Sequence, residues 1–475
     1  MPIRLLCMLC LSACMASISC AKEDDTRTKE KSEVQISIAK NEITPVEGMA
    51  EIQMTISGFE NLDYLKVVKV TSYGKLPAKH GKSLVTDRFT YSYLIKETDP
   101  ENITLEFTAF DIEGKASDTR AVRITNTGQK KSSDIRFSNL QCLSRVTGAE
   151  DNGHDGLPPV KYTLNNRTDL KYNVGGTDLG IVWEMSKNRF GLIFGDTFGA
   201  DFKPNYSSPG PNGGSWRSNV ILLSNDTELS NGLTINGAVM EGNEAKQICF
   251  SAHNTSGAGD WTSIPTAAIH ANNADYVHYM NIRTWTGWVT NYSSLYKSTN
   301  GGNDWERVNS VNFSGESNFG QCGYYNDGGT VYMMSTQTGR AGMPYLARFK
   351  ETDIEDPGKY EFWNGFGWAT GKENAAAPLF NDKVGELSFC YMPELRKWVL
   401  LYFNDPRYEI CLRHADNMEG PWSEPMQVAS GRDWPQLYGS FIHPLSKKGT
   451  TLYFIMSMWL PYNTYLMSID LKASK

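Results

Sequence analysis

Two aspartates, Asp178 and Asp196, lie at the outer ends of one predicted hairpin. The hairpin consists of two apolar runs, Leu179–Trp183 and Gly191–Gly195, on either side of a polar turn at Lys187. Positions 178 and 196 are equally far from 187, so the two carboxylates are predicted to face each other. Like charges directly opposite one another are destabilising, and one of the two should have a raised pKa. Such a pair favours acid–base chemistry on a bond between them, whereas the alternative is two turn aspartates bonded to local backbone.

A second hairpin repeats this symmetry around Leu395, with Glu386 at its start and Asp405 near its end. Glu386 therefore occupies the position in its hairpin that Asp178 occupies in the first. Glycoside hydrolysis needs one carboxylic acid that protonates the leaving oxygen and one carboxylate that activates water or attacks. The candidate catalytic residues are therefore Asp178, Asp196 and Glu386, and the sequence does not tell acid from base.

Six further residues are candidates for substrate binding, because they lie at predicted strand starts or in loops and carry polar or aromatic groups. A guanidinium can hold a carboxylate or bond sugar hydroxyls, and an aromatic ring can stack on a sugar face. Each has a structural alternative, a surface salt bridge for the arginine and packing for the rings. The six are Arg217, Asn219, Asn291, Tyr292, Tyr438 and Trp434, and the loop residues Trp285 and Trp288 are further stacking candidates.

The elements that must position these residues are five apolar hairpins in the region 135–475. Amphipathic segments of 10–15 residues do not separate them, which argues against a parallel α/β fold. Repeated β units predict a five-bladed β-propeller, with a twin β-sandwich as the alternative. In a propeller the starts of the inner strands converge on the axis, where carboxylates from separate blades can flank a ligand. The predicted hairpin turns are near Lys187, Asn273, Gly328, Leu395 and Lys448.

The region 33–127 differs in composition from the rest, and indicates a second domain. All twelve tryptophans lie between Trp183 and Trp459, so none lies in this region. Short alternating strands separated by turn clusters predict an immunoglobulin-like β-sandwich. The fold class is therefore all-β, with this sandwich as a spacer before the propeller at 135–475.

The first twenty residues are typical of a lipoprotein signal peptide. The segment Ser17–Cys20 resembles a lipobox with Cys20 as the lipidated residue, and residues 21–32 read as a charged linker. A lipobox at Cys14 is the better local match but leaves a very short apolar region. We therefore expect a lipid anchor in a bacterial outer membrane, at the cell surface or on its periplasmic face, and no apolar run is long enough for a transmembrane helix.

Charge and cysteine spacing narrow the range of partners. The formal net charge is -7 and no basic stripe is visible, which argues against nucleic acid. The five cysteines beyond the leader form no CxxC pair, so no metal site is predicted. They allow one disulfide and leave an odd thiol. We expect a monomer that needs no cofactor, although the sequence leaves a bound calcium ion open.

Seven motifs occur in a fixed order along residues 160–472. They read TDLGIVWE, FGDTFG, WRSNV, IPTAAI, TNYSSLYKS, GELSFCYM and SMWLPYN. In this order they resemble the endo-D-arabinanases of glycoside hydrolase family 183, formerly described as a domain of unknown function. The resemblance implies a five-bladed propeller that cleaves internal α-D-arabinofuranosyl linkages of D-arabinan, as in mycobacterial arabinogalactan and lipoarabinomannan.

On this resemblance Asp178 and Asp196 are the leading catalytic pair and Glu386 is a third candidate. Inversion is expected by analogy with other five-bladed arabinan-cleaving propellers. Two alternatives remain open at this point. The protein could be a surface lipoprotein that binds glycans without cleaving them, or an exo-acting propeller glycosidase.

Overall fold

The computed structural model describes residues 31–45, 49–71, 74–82, 85–95, 102–126, 135–149, 160–163, 166–203, 213–434 and 436–473. The predicted leader, its lipidation residue Cys20 and most of the linker lie outside these ranges. Within them, 31 strands and one five-residue helix, α1 (Thr168–Tyr172), form the regular structure apart from short 3-10 turns. No helix in these ranges is both long and apolar enough to cross a membrane.

The N-terminal region folds into two sheets that enclose a single apolar core. One sheet has the order β1-β3-β6 and the other β2-β8-β7-β4-β5. Both faces of the core are lined by alternate residues of long strands, such as Ile52 of one sheet and Phe107 of the other. The strands are β1 (Gln35–Ile38), β2 (Glu42–Ile43), β3 (Met49–Ser57), β4 (Leu62–Thr71), β5 (Gly74–Gly81), β6 (Arg88–Leu94), β7 (Asn102–Asp111) and β8 (Arg120–Thr125).

The alternating pattern predicts six strands in this region, over residues 33–38, 50–56, 65–71, 88–95, 103–111 and 121–126, and all six are present. Strands β2 and β5 were missed. Strand β5 contains Pro77 and begins and ends with glycine, a composition that predicts a turn. It nevertheless pairs with β4 along its whole length, at the edge of its sheet. An edge strand tolerates proline because one side of its backbone needs no partner in the ladder.

The second region contains five larger antiparallel sheets within the described residues. We number them sheets 1 to 5 along the chain, and we count β9 as the last strand of sheet 5 because it lies at the far edge of that sheet. The first strand of each sheet is the strand at the opposite edge. The strands are β9 (Ile135–Arg145); in sheet 1, β10 (Leu179–Ser186), β11 (Arg189–Phe194), β12 (Val220–Ser224) and β13 (Gly237–Ala238); in a separate small sheet, β14 (Met240–Glu241) and β15 (Glu244–Ala245); in sheet 2, β16 (Thr262–Ala271), β17 (Ala274–Thr284), β18 (Val289–Ser298) and β19 (Glu306–Ser314).

The remaining strands complete sheets 3 to 5. They are, in sheet 3, β20 (Gln321–Asp327), β21 (Thr330–Thr336), β22 (Tyr345–Lys350), β23 (Glu361–Trp363) and β24 (Trp368–Thr370); in sheet 4, β25 (Leu387–Met392), β26 (Lys397–Asn404), β27 (Glu409–Ala415) and β28 (Met426–Ser430); in sheet 5, β29 (Leu437–Ile442), β30 (Thr451–Met458) and β31 (Asn463–Ala473), followed at its edge by β9.

The first strands of the five sheets contact one another in a closed cycle. Strand β10 contacts β16, β16 contacts β20, β20 contacts β25, β25 contacts β29, and β29 returns to β10. The arrangement is propeller-like, because each sheet then points its first strand to a common centre. Strand β9 pairs with β31 and so joins the two ends of this region in one sheet.

All five predicted hairpins are present. They pair β10 with β11, β16 with β17, β20 with β21, β25 with β26 and β29 with β30. The disulfide that the five cysteines would allow is not formed among the described residues. Each of the five cysteines in the described residues is a buried free thiol, on a different strand or loop: Cys142, Cys249, Cys322, Cys390 and Cys411. Burial raises the pKa of all five thiols, which keeps them protonated core residues.

Candidate active site

A cavity of about 860 Å³ lies where the first strands of the five sheets begin. Its wall takes residues from the start of every first strand, because the closed cycle brings those starts together. The residues at or next to these starts are Asp178, Ile264, Gln321, Glu386 and Tyr438. Of the sequence candidates, this cavity therefore unites Asp178, Asp196, Glu386 and Tyr438.

Asp178 immediately precedes β10, and a distortion of the backbone sets its position. Leu179 and Gly180 both have positive φ, 66° and 87°, and the hairpin register shifts at this point. The backbone carbonyl of Asp178 therefore accepts the amide N–H of Gly195, and Asp178 faces Gly195 instead of Asp196. The predicted mirror register holds from Ile181 to Glu184, but it was wrong by one residue at the carboxylate end. A non-glycine residue at positive φ is strained and is often found at functional sites.

The carboxyl group of Asp178 lies among neutral tyrosine hydroxyls, those of Tyr438 and Tyr462, and no cation is hydrogen-bonded to it. Its Oδ2 accepts the hydroxyl of Tyr438 at 2.8 Å, and its buried Oδ1 has no hydrogen-bond partner. Oδ1 lies against Gly195, where a side-chain methyl would overlap it. Burial raises the pKa of Asp178, the nearby Asp196 raises it further, and the Tyr438 hydroxyl opposes them, with a result of about 8.

Asp196 follows β11 and faces the same cavity. One of its carboxylate oxygens accepts hydrogen bonds from two uncharged side chains. Its Oδ1 accepts the indole N–H of Trp216 at 2.8 Å and the hydroxyl of Thr262 at 2.6 Å. Burial raises the pKa of Asp196 and these two donors lower it, so that it is about 6. Trp216 is in turn stacked on His253, with ring centroids 4.0 Å apart. Trp216 and Thr262 were missed in the sequence, and both fix the orientation of Asp196.

Glu386 precedes β25 and is held by an arginine that the sequence reading missed. Arg340 donates Nη2 to Oε1 of Glu386 at 2.8 Å, and its Nε lies 3.2 and 3.3 Å from the two carboxylate oxygens. The residue opposite Glu386 is Phe403, whose amide donates to the Glu386 carbonyl. The prediction that Asp405 faces Glu386 was therefore wrong by two positions. Asp405 still lines the cavity, and its Oδ1 lies 3.7 Å from Nη1 of Arg340.

Aromatic rings surround Arg340. Its guanidinium carbon lies 5.4 Å from the ring centre of Trp288, 4.9 Å from that of Phe403 and 5.2 Å from that of Tyr438. Burial lowers the pKa of Arg340, but Glu386 raises it by more, so the net shift is upward. The ring of Tyr438 thus links the Arg340–Glu386 pair to Asp178.

The rest of the wall is rich in aromatic residues. Trp285, 37% exposed, lies edge-on to Trp288 with ring centroids 5.1 Å apart. Across the cavity Trp459 is 38% exposed and contacts both Tyr438 and Tyr462. Large apolar side chains that stay exposed at the edge of a cavity are typical of a ligand site.

Two predicted binding residues, Arg217 and Asn219, do not line the cavity. Arg217 is 6% exposed and donates to the carbonyls of Ser215, Ala245 and Asn173. Asn219 is fully buried, and its amide makes four hydrogen bonds to backbone of neighbouring loops. Trp216, next to Arg217, reaches the cavity instead, because consecutive side chains of an extended segment point to opposite sides.

Three other candidates also lie outside the cavity wall. Asn291 donates to the Gly259 carbonyl at 3.0 Å and to Asn281 Oδ1 at 2.8 Å. Tyr292 is covered by the guanidinium of Arg307, 4.5 Å from its ring centre. Trp434 is 9% exposed within the main apolar core. Trp285 and Trp288 do line the wall, as expected of stacking candidates.

No three side chains of His, Cys, Asp or Glu are grouped as a metal site in the part of the chain that the structure describes. Two of the scattered histidines, His278 and His443, are fully buried, and burial lowers the pKa of each to about 3. They are therefore neutral core residues. His270 pairs with Asp275 at 3.0 Å, away from the cavity.

Residues 163–468 match a family described as a domain of unknown function, DUF4185. The chain belongs to this family. The chain is also similar to the notoamide biosynthesis cluster protein J' of Aspergillus versicolor. It is 28% identical to this chain over 306 residues, which cover 61% of this chain and 82% of the fungal protein. The expected domain of unknown function is thus confirmed.

Solved structures of glycoside hydrolases resemble the DUF4185 chain more distantly. A family 117 glycoside hydrolase of Zobellia galactanivorans has a TM-score of 0.38 at 12% identity, covering 72% of this chain and 90% of that one. A GH43_1 enzyme of Xanthomonas citri has a TM-score of 0.37 at 12% identity, covering 64% and 89%. Similarity at this level does not carry a function from one protein to another, so the function must be argued from the cavity.

Proposed function

We propose that this protein is a glycoside hydrolase that cleaves internal α-D-arabinofuranosyl linkages of D-arabinan, with Asp178 as the acid and Asp196 as the base. The observation that carries the proposal is the pair of carboxyl groups in one cavity with no cation bonded to either. Their pKa values are about 8 and about 6. At neutral pH Asp178 then holds a proton and Asp196 is ionised, which is the division of roles that hydrolysis needs.

In the proposed step, Asp178 gives its proton to the glycosidic oxygen as the bond from that oxygen to the anomeric carbon breaks. Asp196 takes a proton from a water molecule, whose oxygen forms the new bond to the anomeric carbon. Because Trp216 and Thr262 occupy Oδ1 of Asp196, Oδ2 is left for the water. Attack from the face opposite the leaving group inverts the configuration.

Glu386 serves in this proposal as a fixed negative charge near the anomeric carbon. The transition state of glycoside hydrolysis has oxocarbenium character, and a preorganised anion stabilises the positive charge as it develops. Arg340 holds both oxygens of Glu386, so the carboxylate cannot rotate away. We therefore assign Glu386 an electrostatic role and Arg340 a positioning role.

The substrate and the location are supported by the sequence more than by the cavity. Seven ordered motifs resemble those of endo-D-arabinanases, and the aromatic wall suits a carbohydrate. As proposed, the reaction needs only water and these side chains. The lipid anchor at Cys20, the outer-membrane location and the monomeric state remain part of the proposal on the sequence alone.

The proposal includes an architecture. The five sheets would be the blades of a five-bladed propeller, closed by β9, with the two-sheet N-terminal region as an immunoglobulin-like spacer. The closed cycle of first strands supports the blades, and the shared core of the two sheets supports the spacer.

The test is product analysis after incubation of the leader-free protein with mycobacterial arabinogalactan. The proposal predicts a ladder of intermediate arabino-oligosaccharides, and proton NMR of the fresh reducing ends should show the inverted anomer first. Arabinose as the sole product would instead establish an exo enzyme. Saturable binding without new reducing ends would establish a glycan-binding protein. In that case, unchanged binding by Asp196→Asn would show that the carboxylate serves only to accept sugar hydroxyls, because an amide oxygen can also accept them.

A further inference from the structure

We infer that Gln321, Trp288 and Arg340 form a hydroxyl-binding corner of the cavity, which holds the sugar unit next to the cleaved bond. The inference rests on the proposed glycosidase function and names the groups that recognise the sugar. The three residues come from sheets 2 and 3, on β20, in the loop before β18 and in the loop after β21.

Gln321 is the first residue of β20 and presents an unused donor to the cavity. It is 3% exposed, yet it lines the cavity wall. Its Oε1 accepts the amide of Gly339 at 3.1 Å, whereas its Nε2 is buried and has no hydrogen-bond partner. The amide cannot be turned around, because the N–H of Gly339 needs the oxygen. Leaving a buried NH₂ group without a partner is unfavourable, so it is expected to find its acceptor in a ligand.

Trp288 and Arg340 add two more donors beside Gln321. Gly339, which binds Gln321, directly precedes Arg340 and lies against the ring of Trp288. The indole Nε1 of Trp288 is buried and has no hydrogen-bond partner, and Trp288 lines the cavity. Arg340 uses Nε and Nη2 on Glu386, while its Nη1 has only the carboxylate of Asp405 at 3.7 Å. The corner therefore offers N–H groups to oxygen atoms of a ligand.

The charges around the corner indicate that these oxygens belong to neutral hydroxyls. Arg340 is the one cation among the described residues of the cavity wall, and it is ion-paired with Glu386. The other ionisable groups of the wall are the carboxyls of Asp178, which holds a proton at neutral pH, and of Asp196 and Asp405. A ligand carboxylate or sulfate would meet net negative charge here, whereas a sugar hydroxyl accepts from these donors without that cost. The substrate class is thus an uncharged sugar unit.

The test compares Gln321→Glu with the wild type and with Gln427→Glu, a matched change at an exposed position of β28. Glutamate can still accept the Gly339 amide but offers no donor to the sugar. We expect kcat/KM on mycobacterial arabinogalactan to fall about 10- to 100-fold in Gln321→Glu, mainly through KM. Gln427→Glu should match the wild type in kcat/KM and in melting temperature. Gln321→Glu buries a carboxyl and is expected to melt lower, so a circular dichroism spectrum that matches the wild type is the control for its fold.

A second variant, Trp288→Phe, keeps an aromatic ring beside Arg340 but has no N–H, and we expect a smaller rise in KM. Affinity for the same polysaccharide, measured by titration calorimetry, should fall in parallel in both variants. Hydrolysis by Gln321→Glu with wild-type KM would overturn the corner and leave the proposed function standing. Binding that depends on Gln321 without any hydrolysis would overturn the proposed function and leave the corner standing. Tighter binding of polygalacturonate or sialyllactose than of arabinogalactan would overturn the neutral-sugar assignment.

Discussion

Two buried aspartates of this protein, Asp178 in the cavity and Asp382 in the loop before β25, have opposite environments. The side chain of Asp382 is 9% exposed, and its carboxylate accepts the hydroxyl of Tyr402, the amide of Asn404 and the guanidinium groups of Arg407 and Arg413. Burial raises the pKa of Asp382, but the arginine and tyrosine donors lower it by more, to about 2. Asp178 has only neutral tyrosine hydroxyls beside it, and its pKa is about 8.

The comparison teaches that hydrogen-bonded cations, which offset the cost of burial at Asp382 but not at Asp178, separate a structural carboxylate from a reactive one. Burial disfavours the charged form in both places. At Asp382 the cost is offset by two arginines, so the ion pair network holds β26 and β27 to the preceding loop. At Asp178 the cation that lies nearby, Arg340, is engaged by Glu386. The proton therefore stays on Asp178, available for transfer.

The largest expected effect is on activity. Asp178→Asn and Asp196→Asn should each lower kcat on arabinogalactan by about 10²- to 10⁴-fold, because each removes one proton-transfer group. Reducing-end assays measure this directly. Asp433→Asn, at an exposed position, is the matched control and should be fully active. Turnover at the wild-type rate in both cavity variants would show that the chemistry lies elsewhere.

The next largest effect is on stability, and it distinguishes the site of Asp382 from the site of Asp178. Asp382→Asn should lower the free energy of unfolding by on the order of 3 kcal/mol, because it leaves Arg413 buried without its counter-charge. Asp178→Asn should not destabilise the protein, since it removes a buried carboxyl that has no cation. Urea unfolding of both variants measures the difference. Equal loss of stability in the two would remove the distinction between a structural and a reactive aspartate.

A substitution beside Asp178 tests how tightly its carboxyl is placed. Gly195→Ala puts a methyl group where Oδ1 of Asp178 lies, so the carboxyl must rotate. We expect kcat to fall about 10²-fold, the usual cost of displacing a catalytic group by about 1 Å. Gly367→Ala, where an added methyl meets open space, is the control and should keep wild-type kcat. An unchanged kcat in Gly195→Ala would mean that the position of this oxygen is unimportant.

The smallest effect is a shift in the pH dependence. The plot of kcat/KM against pH should be bell-shaped, since Asp196 must be ionised and Asp178 protonated. Activity is lost as pH falls through about 6 and as it rises through about 8. Thr262→Val removes a donor that lowers the pKa of Asp196, so the acidic limb should move up by about one unit while the alkaline limb stays. Movement of the alkaline limb alone would reverse the assignment of acid and base.

The hairpins and the leading carboxylates could be predicted from the sequence because they depend on local pattern. Alternation within each hairpin identified the strand starts, and with them Asp178, Glu386 and Tyr438. The mirror symmetry of the first hairpin gave the wrong partner for Asp178, because the backbone bulges at Leu179 and Gly180.

The missed residues belong to contacts between hairpins that are distant in sequence. Arg340 meets Glu386 across two sheets, and Trp216 reaches Asp196 from a loop. Nothing in either segment alone indicates its partner. Gln321 did carry a signal, because it begins an apolar run just as Asp178 precedes one. Arg217 was chosen over its neighbour Trp216 because the sequence does not show which side of an extended segment faces the cavity.

The most direct test of the central claim, that Asp178 holds a proton at neutral pH, is a carbon-13 NMR titration of aspartate carboxyl groups. Comparison with Asp178→Asn and Asp382→Asn assigns the two signals. The signal of Asp178 should titrate near pH 8 and that of Asp382 near pH 2. If the Asp178 signal titrated near the ordinary aspartate value of 3.8, Asp178 would be ionised at neutral pH and could not act as the acid.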